Sequence, residues 1–101
     1  MAMPTEIVSV NGNSSVANDA YLTIQPGAGV EWVIHNLFLG DTGNIETYDG
    51  SNAIVFETGA AGWVGNLELH CTNTDYIRIQ NKSGDSARFG YDGIISRNAD
   101  A

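Results

Sequence analysis

The sequence predicts an all-β protein of about eight short antiparallel strands, packed as a jelly-roll-like β-sandwich. Short runs rich in Val, Ile, Leu, Tyr and Phe recur at intervals of roughly ten residues. Clusters of Gly, Asn, Asp and Ser separate these runs and are typical of turns. No window keeps a helical period over several turns, so helices are not expected. A jelly roll is the most natural arrangement of eight such strands.

Turn residues delimit the predicted strands. Asn11-Gly12-Asn13 is expected to end the first strand, and Pro26-Gly27 the second. Asp49-Gly50-Ser51-Asn52 joins the fourth and fifth strands and is a strong hairpin signal. In the seventh strand, Ile77 and Ile79 alternate with polar residues and are expected to face the core. In chain order, the predicted strands cover residues 6–10, 20–25, 30–39, 45–48, 53–57, 63–72, 75–81 and 87–96.

The third strand, VEWVIHNLFL at residues 30–39, is the most apolar stretch and has large side chains on both faces. Strict alternation places Trp32, Ile34 and Phe38 in the sandwich core. The same alternation turns a second set toward a partner chain, which makes these residues the predicted subunit interface: Val33, His35 and Leu37. A β-bulge that switches faces midway is the alternative, because it would turn all the large side chains into one core.

Composition and charge limit the classes of function. The 101 residues suit one domain, expected to span 1–101 with flexible ends at 1–4 and 98–101. Twelve acidic residues against four basic ones give a net charge of -8. The basic residues form no run, so binding to nucleic acid or to an anionic membrane is disfavoured. No segment is long enough to span a membrane, and the N-terminus does not resemble a signal peptide.

Asp41-Thr42-Gly43 matches the active-site triplet of retroviral-type aspartic proteases, which are all-β homodimers whose two carboxylates share a proton. The sequence departs from that family at Gly40, where the family has an apolar residue, and at Asn44, where it has a small one. The C-terminal apolar strand that leads into a helix in that family is also missing. A surface turn is the preferred interpretation, and we predict that the protein is not an enzyme.

Candidate metal ligands do not form a convincing set. Four oxygen-bearing residues lie close together in the sequence, but their spacing does not match a calcium loop: Asp41, Asn44, Glu46 and Asp49. His70 and Cys71 are adjacent in a predicted strand, so they should point to opposite faces and cannot share a metal. Cys71 is expected to be a small core residue, and its being the single cysteine rules out an intrachain disulfide. We therefore predict no metal and no cofactor.

Three aromatic residues could contact a ligand or partner if they are exposed: Tyr48, Trp63 and Tyr76. An aromatic face can stack on a sugar ring, so a carbohydrate-binding module is one alternative function. Packing in a core or a subunit interface is the simpler interpretation of the same residues.

The C-terminal third carries a resemblance to a known group. Asp75-Tyr76-Ile77-Arg78-Ile79-Gln80-Asn81-Lys82-Ser83-Gly84, followed by Ala87-Arg88-Phe89-Gly90-Tyr91-Asp92-Gly93-Ile94, resembles small structural proteins of tailed bacteriophages. The group includes capsid decoration (cement), head-fibre and tail-associated proteins. The long strand with Trp32 and the Asp49-Gly50 hairpin are also similar to it, so the likeness in layout covers residues 20–96.

The resemblance implies a function and a location. It implies a jelly-roll-like β-sandwich, often trimeric, that binds the major capsid protein on the outer surface of the virion and stabilises the shell. Such a protein would be assembled in the cytoplasm of the host bacterium. A carbohydrate-binding module of a phage fibre, which would recognise the host, is the alternative within the same group.

Overall fold

In the computed structural model, residues 8–98 are described, and they form nine strands and no helix. The strands pair antiparallel in two sheets that pack face to face, which confirms the predicted all-β sandwich. The first sheet has the order β1-β9-β3-β6, with β7 also paired to β3, and the second has the order β2-β8-β4-β5. The strands are β1 (Ser9–Val16), β2 (Tyr21–Ile24), β3 (Val30–Leu39), β4 (Gly43–Tyr48), β5 (Ala53–Gly59), β6 (Gly62–Val64), β7 (Leu69–Cys71), β8 (Tyr76–Asn81) and β9 (Ala87–Asn98).

The core lies between the two sheets and is built from inward-facing aliphatic side chains. Ile77 and Ile79 of β8 are buried, as their alternation predicts, and Phe89 of β9 packs with them. The remaining core residues are Val16, Ile24, Ile34, Leu37, Leu39, Ile45 and Cys71. Burial of each large aliphatic side chain contributes about 1.5–3 kcal/mol, so this cluster is the main source of stability.

The long strand β3 contains the bulge that decides which residues face the core. Ile34 lies opposite Gly93 and Asn36 lies opposite Asp92, so His35 is an extra residue on β3. Trp32 and Ile34 face inward before the bulge, and Leu37 and Leu39 face inward after it. The midway bulge offered as the alternative is therefore present, but it does not turn all the large side chains into one core, because Val33 and Phe38 face outward. The prediction that Phe38 lies in the core is wrong, because the bulge turns it to the outer face.

The largest differences from the predicted strand boundaries arise where tertiary pairing overrides local signals. β1 continues through Asn11-Gly12-Asn13, since these residues pair in register with β9. The predicted strand 63–72 is divided into β6 and β7, because Asn66 between them has a left-handed backbone (φ 59°). The predicted hairpin is confirmed, and Asp49 shapes its turn by accepting the backbone N–H groups of Ser51 (2.9 Å) and Asn52 (2.7 Å).

β9 runs to Asn98, two residues further than predicted, and the ends expected to be flexible otherwise lie outside the described residues. Within residues 8–98 there is no helix of the length and apolarity that crossing a membrane requires.

Candidate binding surfaces

Strand β5 is the most exposed apolar element in the described part of the chain. It forms an edge of the second sheet, with β4 as its neighbour. Every residue from Ala53 to Thr58 is exposed, including Ile54 (69%), Val55 (50%) and Phe56. One side of its backbone is therefore available to pair with another strand. Natural proteins normally cover an apolar edge of this kind, because it promotes association between chains.

The exposure of β5 has a local cause. Ile54 pairs with Thr47 and so lies on the inner face of the sheet. Thr47 is exposed as well, which means that the first sheet does not cover this end of the β4–β5 hairpin. Val55 lies opposite Glu46 on the outer face, and Phe56 is the extra residue of a bulge between the Val55–Glu46 and Glu57–Ile45 pairs. Apolar side chains thus project from both faces of one edge.

A second surface lies on the outer face of the first sheet, around Trp63. The pairing of β6 with β3 brings Trp63 and Phe38 side by side, and they are 61% and 41% exposed. The indole N–H donates to Oδ1 of Asn36 at 2.7 Å, and the Asn36 amide donates to Oδ1 of Asp92 at 2.6 Å. A β-carbon at Gly65 would clash with the indole, so the ring lies against this glycine. The aromatic side chain is thus held in place from two directions.

A groove of about 790 Å³ begins beside Phe38 and crosses β3, β9 and β1. Gly90 lies between Phe38 and Asn13 in the cross-strand register, and its missing side chain leaves the groove open there. Arg88 donates to Oδ1 of Asn13 at 2.6 Å. Polar residues from three strands line the groove, among them Ser9, Asn11, Asn13, His35, Arg88 and Asp92.

The predicted subunit interface is only partly available. Leu37 has no exposed surface and packs in the core of its own chain, so its predicted contact with a partner is wrong. The physical reason is the bulge at His35, which reverses the facing of the second half of β3. Val33 lies on the outer face but is also buried within the chain. His35 is half-buried and lines the groove, so a partner contact there stays a prediction.

The three aromatic residues predicted as ligand or partner contacts lie on different sheets. Tyr48 and Tyr76 meet edge to face on the outer side of the second sheet, with ring centroids 5.6 Å apart. Trp63 belongs to the first sheet, so the three side chains do not form one platform. The sequence reasoning missed Asn36 and Asp92, which hold Trp63 in place. The available signal was a pair of polar residues, His35-Asn36, inside the most apolar strand.

The carboxylates proposed as catalytic or calcium-binding groups have separate roles. Asp41 is exposed in the turn between β3 and β4, and its carboxylate accepts the N–H of Thr42 at 2.7 Å. Glu46 is bound by Arg78, and Oδ1 of Asn44 accepts the Thr58 hydroxyl at 3.0 Å. Among residues 8–98, no three His, Cys, Asp or Glu side chains come together as metal ligands.

His70 and Cys71 face opposite sides of the sheet, as predicted. Cys71 is buried, and burial raises the pKa of its thiol to about 12, so it stays protonated near neutral pH. His70 lies at 3.5 Å from the Glu31 carboxylate on the surface. The hydroxyl of Ser96 donates to the same carboxylate at 2.7 Å and is the main cause that lowers the pKa of Glu31. These contacts describe an inert thiol and a surface polar cluster.

Comparison with known proteins gives a likeness of fold. No protein-family model matches the sequence, and no curated protein matches it. The solved structure of the Drosophila NLP core, described as giving insight into pentamer formation and histone binding, is similar in fold, with a TM-score of 0.52. The alignment covers 90% of this chain and 100% of that chain at 14% identity. At this identity the similarity shows the fold alone.

Proposed function

We propose that this protein is a virion structural protein, and specifically a capsid decoration protein. It would bind the major capsid protein on the outer surface of a tailed-phage head and stabilise the shell as a symmetric oligomer. The observation that carries this proposal is the exposed apolar edge strand β5. The similarity of residues 20–96 to phage structural proteins in strand and turn pattern supports the same class.

The edge strand favours contact with another copy of the chain. Antiparallel or parallel strand pairing would satisfy the backbone groups along the outer side of β5. Ile54, Val55 and Phe56 would each contribute up to about 1.5–3 kcal/mol on full burial. Association costs about 4–15 kcal/mol in lost translational and rotational freedom of the two chains, so one such edge supports only weak pairing. A closed ring, in which every chain makes two contacts, is therefore the arrangement that gives a stable assembly.

We expect the ring to contain three subunits. The resemblance to phage decoration proteins implies a trimer, whereas the Drosophila NLP core with a similar fold is described as forming pentamers. Both are cyclic assemblies in which one patch contacts a different patch on the neighbour. We retain the trimer as our expectation.

Shell stabilisation would follow from mass action. A protein that binds only the mature shell lowers the free energy of that state by an amount that grows with its affinity and its concentration. The net charge of -8 disfavours direct binding to DNA, which suits a protein that acts on the outside of the capsid. On this view the protein is made in the bacterial cytoplasm and ends on the virion surface.

The first experiment tests the edge strand by light scattering during size-exclusion chromatography at micromolar concentration. Wild-type protein should have the mass of a ring, and Ile54→Lys should shift it to monomer, because the charge would be buried in the contact. Ala28→Lys adds the same charge to an exposed loop and should leave the ring intact. A wild-type monomer, or a ring unaffected by Ile54→Lys, would contradict the proposal.

The second experiment tests binding to the shell. Purified protein is mixed with expanded heads of the phage that encodes it, prepared without the protein, and the heads are then sedimented. Saturable co-sedimentation and a higher disruption temperature of the decorated heads are the expected results. Heads that sediment without the protein would rule out the decoration role, whatever the oligomeric state.

A further inference from the structure

We propose that the groove on the outer face of the first sheet, together with Trp63 beside Phe38, is a saccharide-binding site. This inference does not depend on the decoration role or on β5, which belongs to the opposite sheet. A pyranose presents a flat patch of C–H groups bordered by hydroxyl groups. A site for it combines an aromatic surface with planar polar side chains, and the structure places both kinds of group at this groove.

The aromatic part of the site is Phe38 with Trp63. The two residues are direct cross-strand neighbours on the outer face of the sheet. Both rings are exposed there, although large aromatic side chains contribute most to stability when they are buried. Trp63 is positioned by its hydrogen bond to Asn36 and by the absence of a side chain at Gly65. A ring that is held in place before binding loses little conformational entropy when a ligand stacks on it.

The polar part of the site consists of amide, carboxylate and guanidinium groups on two strands. Asn11 and Asn13 project from β1, and Arg88 and Asp92 project from β9. Such planar groups can each engage two neighbouring hydroxyl groups, as donors, acceptors or both. Asp92 is tied to Asn36 and Arg88 to Asn13, so their orientations are set by the protein. Within residues 8–98, the side chain of Asn11 makes no hydrogen bond, which leaves it available for a ligand.

The size and charge of the groove restrict the ligand. Its volume of about 790 Å³ falls within the range of small-molecule sites, roughly 300–1,000 Å³, and suits one or two sugar rings. Arg88 and Asp92 contribute opposite charges, so the groove itself carries no strong field. The net charge of -8 opposes polyanions such as nucleic acid or sulfated chains. A neutral or N-acetylated oligosaccharide is therefore the class of ligand that fits.

The test is a titration of ¹⁵N-labelled protein with cellotriose, maltotriose and chitotriose, followed by NMR. We expect at least one of them to shift the Trp63 indole N–H and the side-chain amides of Asn11 and Asn36. Phe38→Ala and Asn11→Ala should each weaken that binding about tenfold or more. Asn11 is exposed on an edge strand, so its variant tests the site even if Phe38→Ala affects folding.

Phe56→Ala is the matched control, because it removes the same exposed ring from β5 on the opposite sheet. Phe56→Ala should weaken self-association and leave the saccharide titration unchanged. Phe38→Ala should weaken saccharide binding and leave self-association unchanged. The site is refuted if none of the three oligosaccharides shifts these resonances. It is equally refuted if Phe38→Ala binds like the wild type.

Discussion

The guanidinium of Arg78 contacts three side chains on the outer face of the second sheet. It lies over the ring of Tyr48 at 3.6 Å and over the ring of Tyr21 at 4.0 Å. Its Nε donates to Oε2 of Glu46 at 2.9 Å, and that carboxylate is almost fully buried. The cation thus compensates a buried anion and is sandwiched by two aromatic faces, which joins β2, β8 and β4 on the outer side of the second sheet.

Removing only Arg78 from the Arg78–Glu46 ion pair should therefore lower the free energy of unfolding much more than replacing both residues. Arg78→Met leaves the Glu46 carboxylate buried without its cation, and we expect a loss of about 3–5 kcal/mol in the free energy of unfolding. The double variant Glu46→Leu/Arg78→Met should recover most of that loss, because no charge remains buried. Urea unfolding followed by tryptophan fluorescence gives these free energies.

Lys82→Met is the matched control, because it removes a cation from an exposed ion pair. It breaks the Lys82–Asp19 ion pair, which has a comparable distance of 2.7 Å but lies exposed on the surface. Its expected cost is below about 1 kcal/mol. If Arg78→Met were as mild as Lys82→Met, the account of Glu46 as a carboxylate that depends on its partner would be wrong.

Strand β3 shows how one residue decides the role of a whole element. The extra residue His35 lets Ile34 and Leu37 both face the core, although they are three positions apart. It also turns Asn36 and Phe38 outward, where they form part of the surface around Trp63. The bulge therefore serves packing on one face and builds the candidate site on the other.

Deletion of His35 tests this interpretation of the element. The shortened strand would run Ile34-Asn36-Leu37, and simple alternation would keep both aliphatic side chains in the core. The main loss is the hydrogen bond from the N–H of Leu67 to the carbonyl of His35 (3.0 Å), so we expect a cost of about 1–2 kcal/mol. Thermal and urea unfolding would measure it.

Deletion of Phe38 is the matched comparison. It removes a more exposed residue, but it makes Leu37 and Leu39 adjacent, so one of them would have to leave the core. A loss of more than about 4 kcal/mol, or failure to fold, is expected. Equal effects of the two deletions would show that the bulge does not control the facing of β3.

At the scale of the whole molecule, apolar association and charge repulsion oppose each other. The exposed side chains of β5 favour contact between copies, whereas each copy carries a net charge of -8. Screening at an ionic strength near 1 M reduces the Debye length to about 3 Å and removes most of the repulsion. The balance between these terms sets the concentration at which the proposed ring forms.

Salt should therefore strengthen the proposed assembly. We expect the fraction of ring in sedimentation velocity to rise as sodium chloride is raised from low to molar concentration, because repulsion is screened while apolar burial persists. Ala28→Lys, which lowers the net negative charge by one per chain, should reduce the salt dependence without changing the contact. A ring that dissociates with increasing salt would indicate a contact made by ion pairs instead of β5.

The fold class, the hairpin turn at Asp49 and the inward faces of the regular strands were predictable from the sequence alone. These features follow from local chemistry: Asp49 accepts backbone N–H groups in its own turn, and the alternation at Ile77 and Ile79 has the period of the strand. The burial of Cys71 was predicted from the same alternation, and the acidic balance is read directly from the composition.

The candidate surfaces could not be predicted in this way, because they depend on contacts between strands that are distant in sequence. A bulge depends on the register with a neighbouring strand, so the facing of Leu37 and Phe38 required the pairing of β3 with β9. Predicting the exposure of β5 would require knowing where the first sheet ends. The hydrogen bond from Trp63 to Asn36 joins strands that are distant in sequence. Contacts of this kind arise from long-range packing, which a pattern of neighbouring residues does not encode.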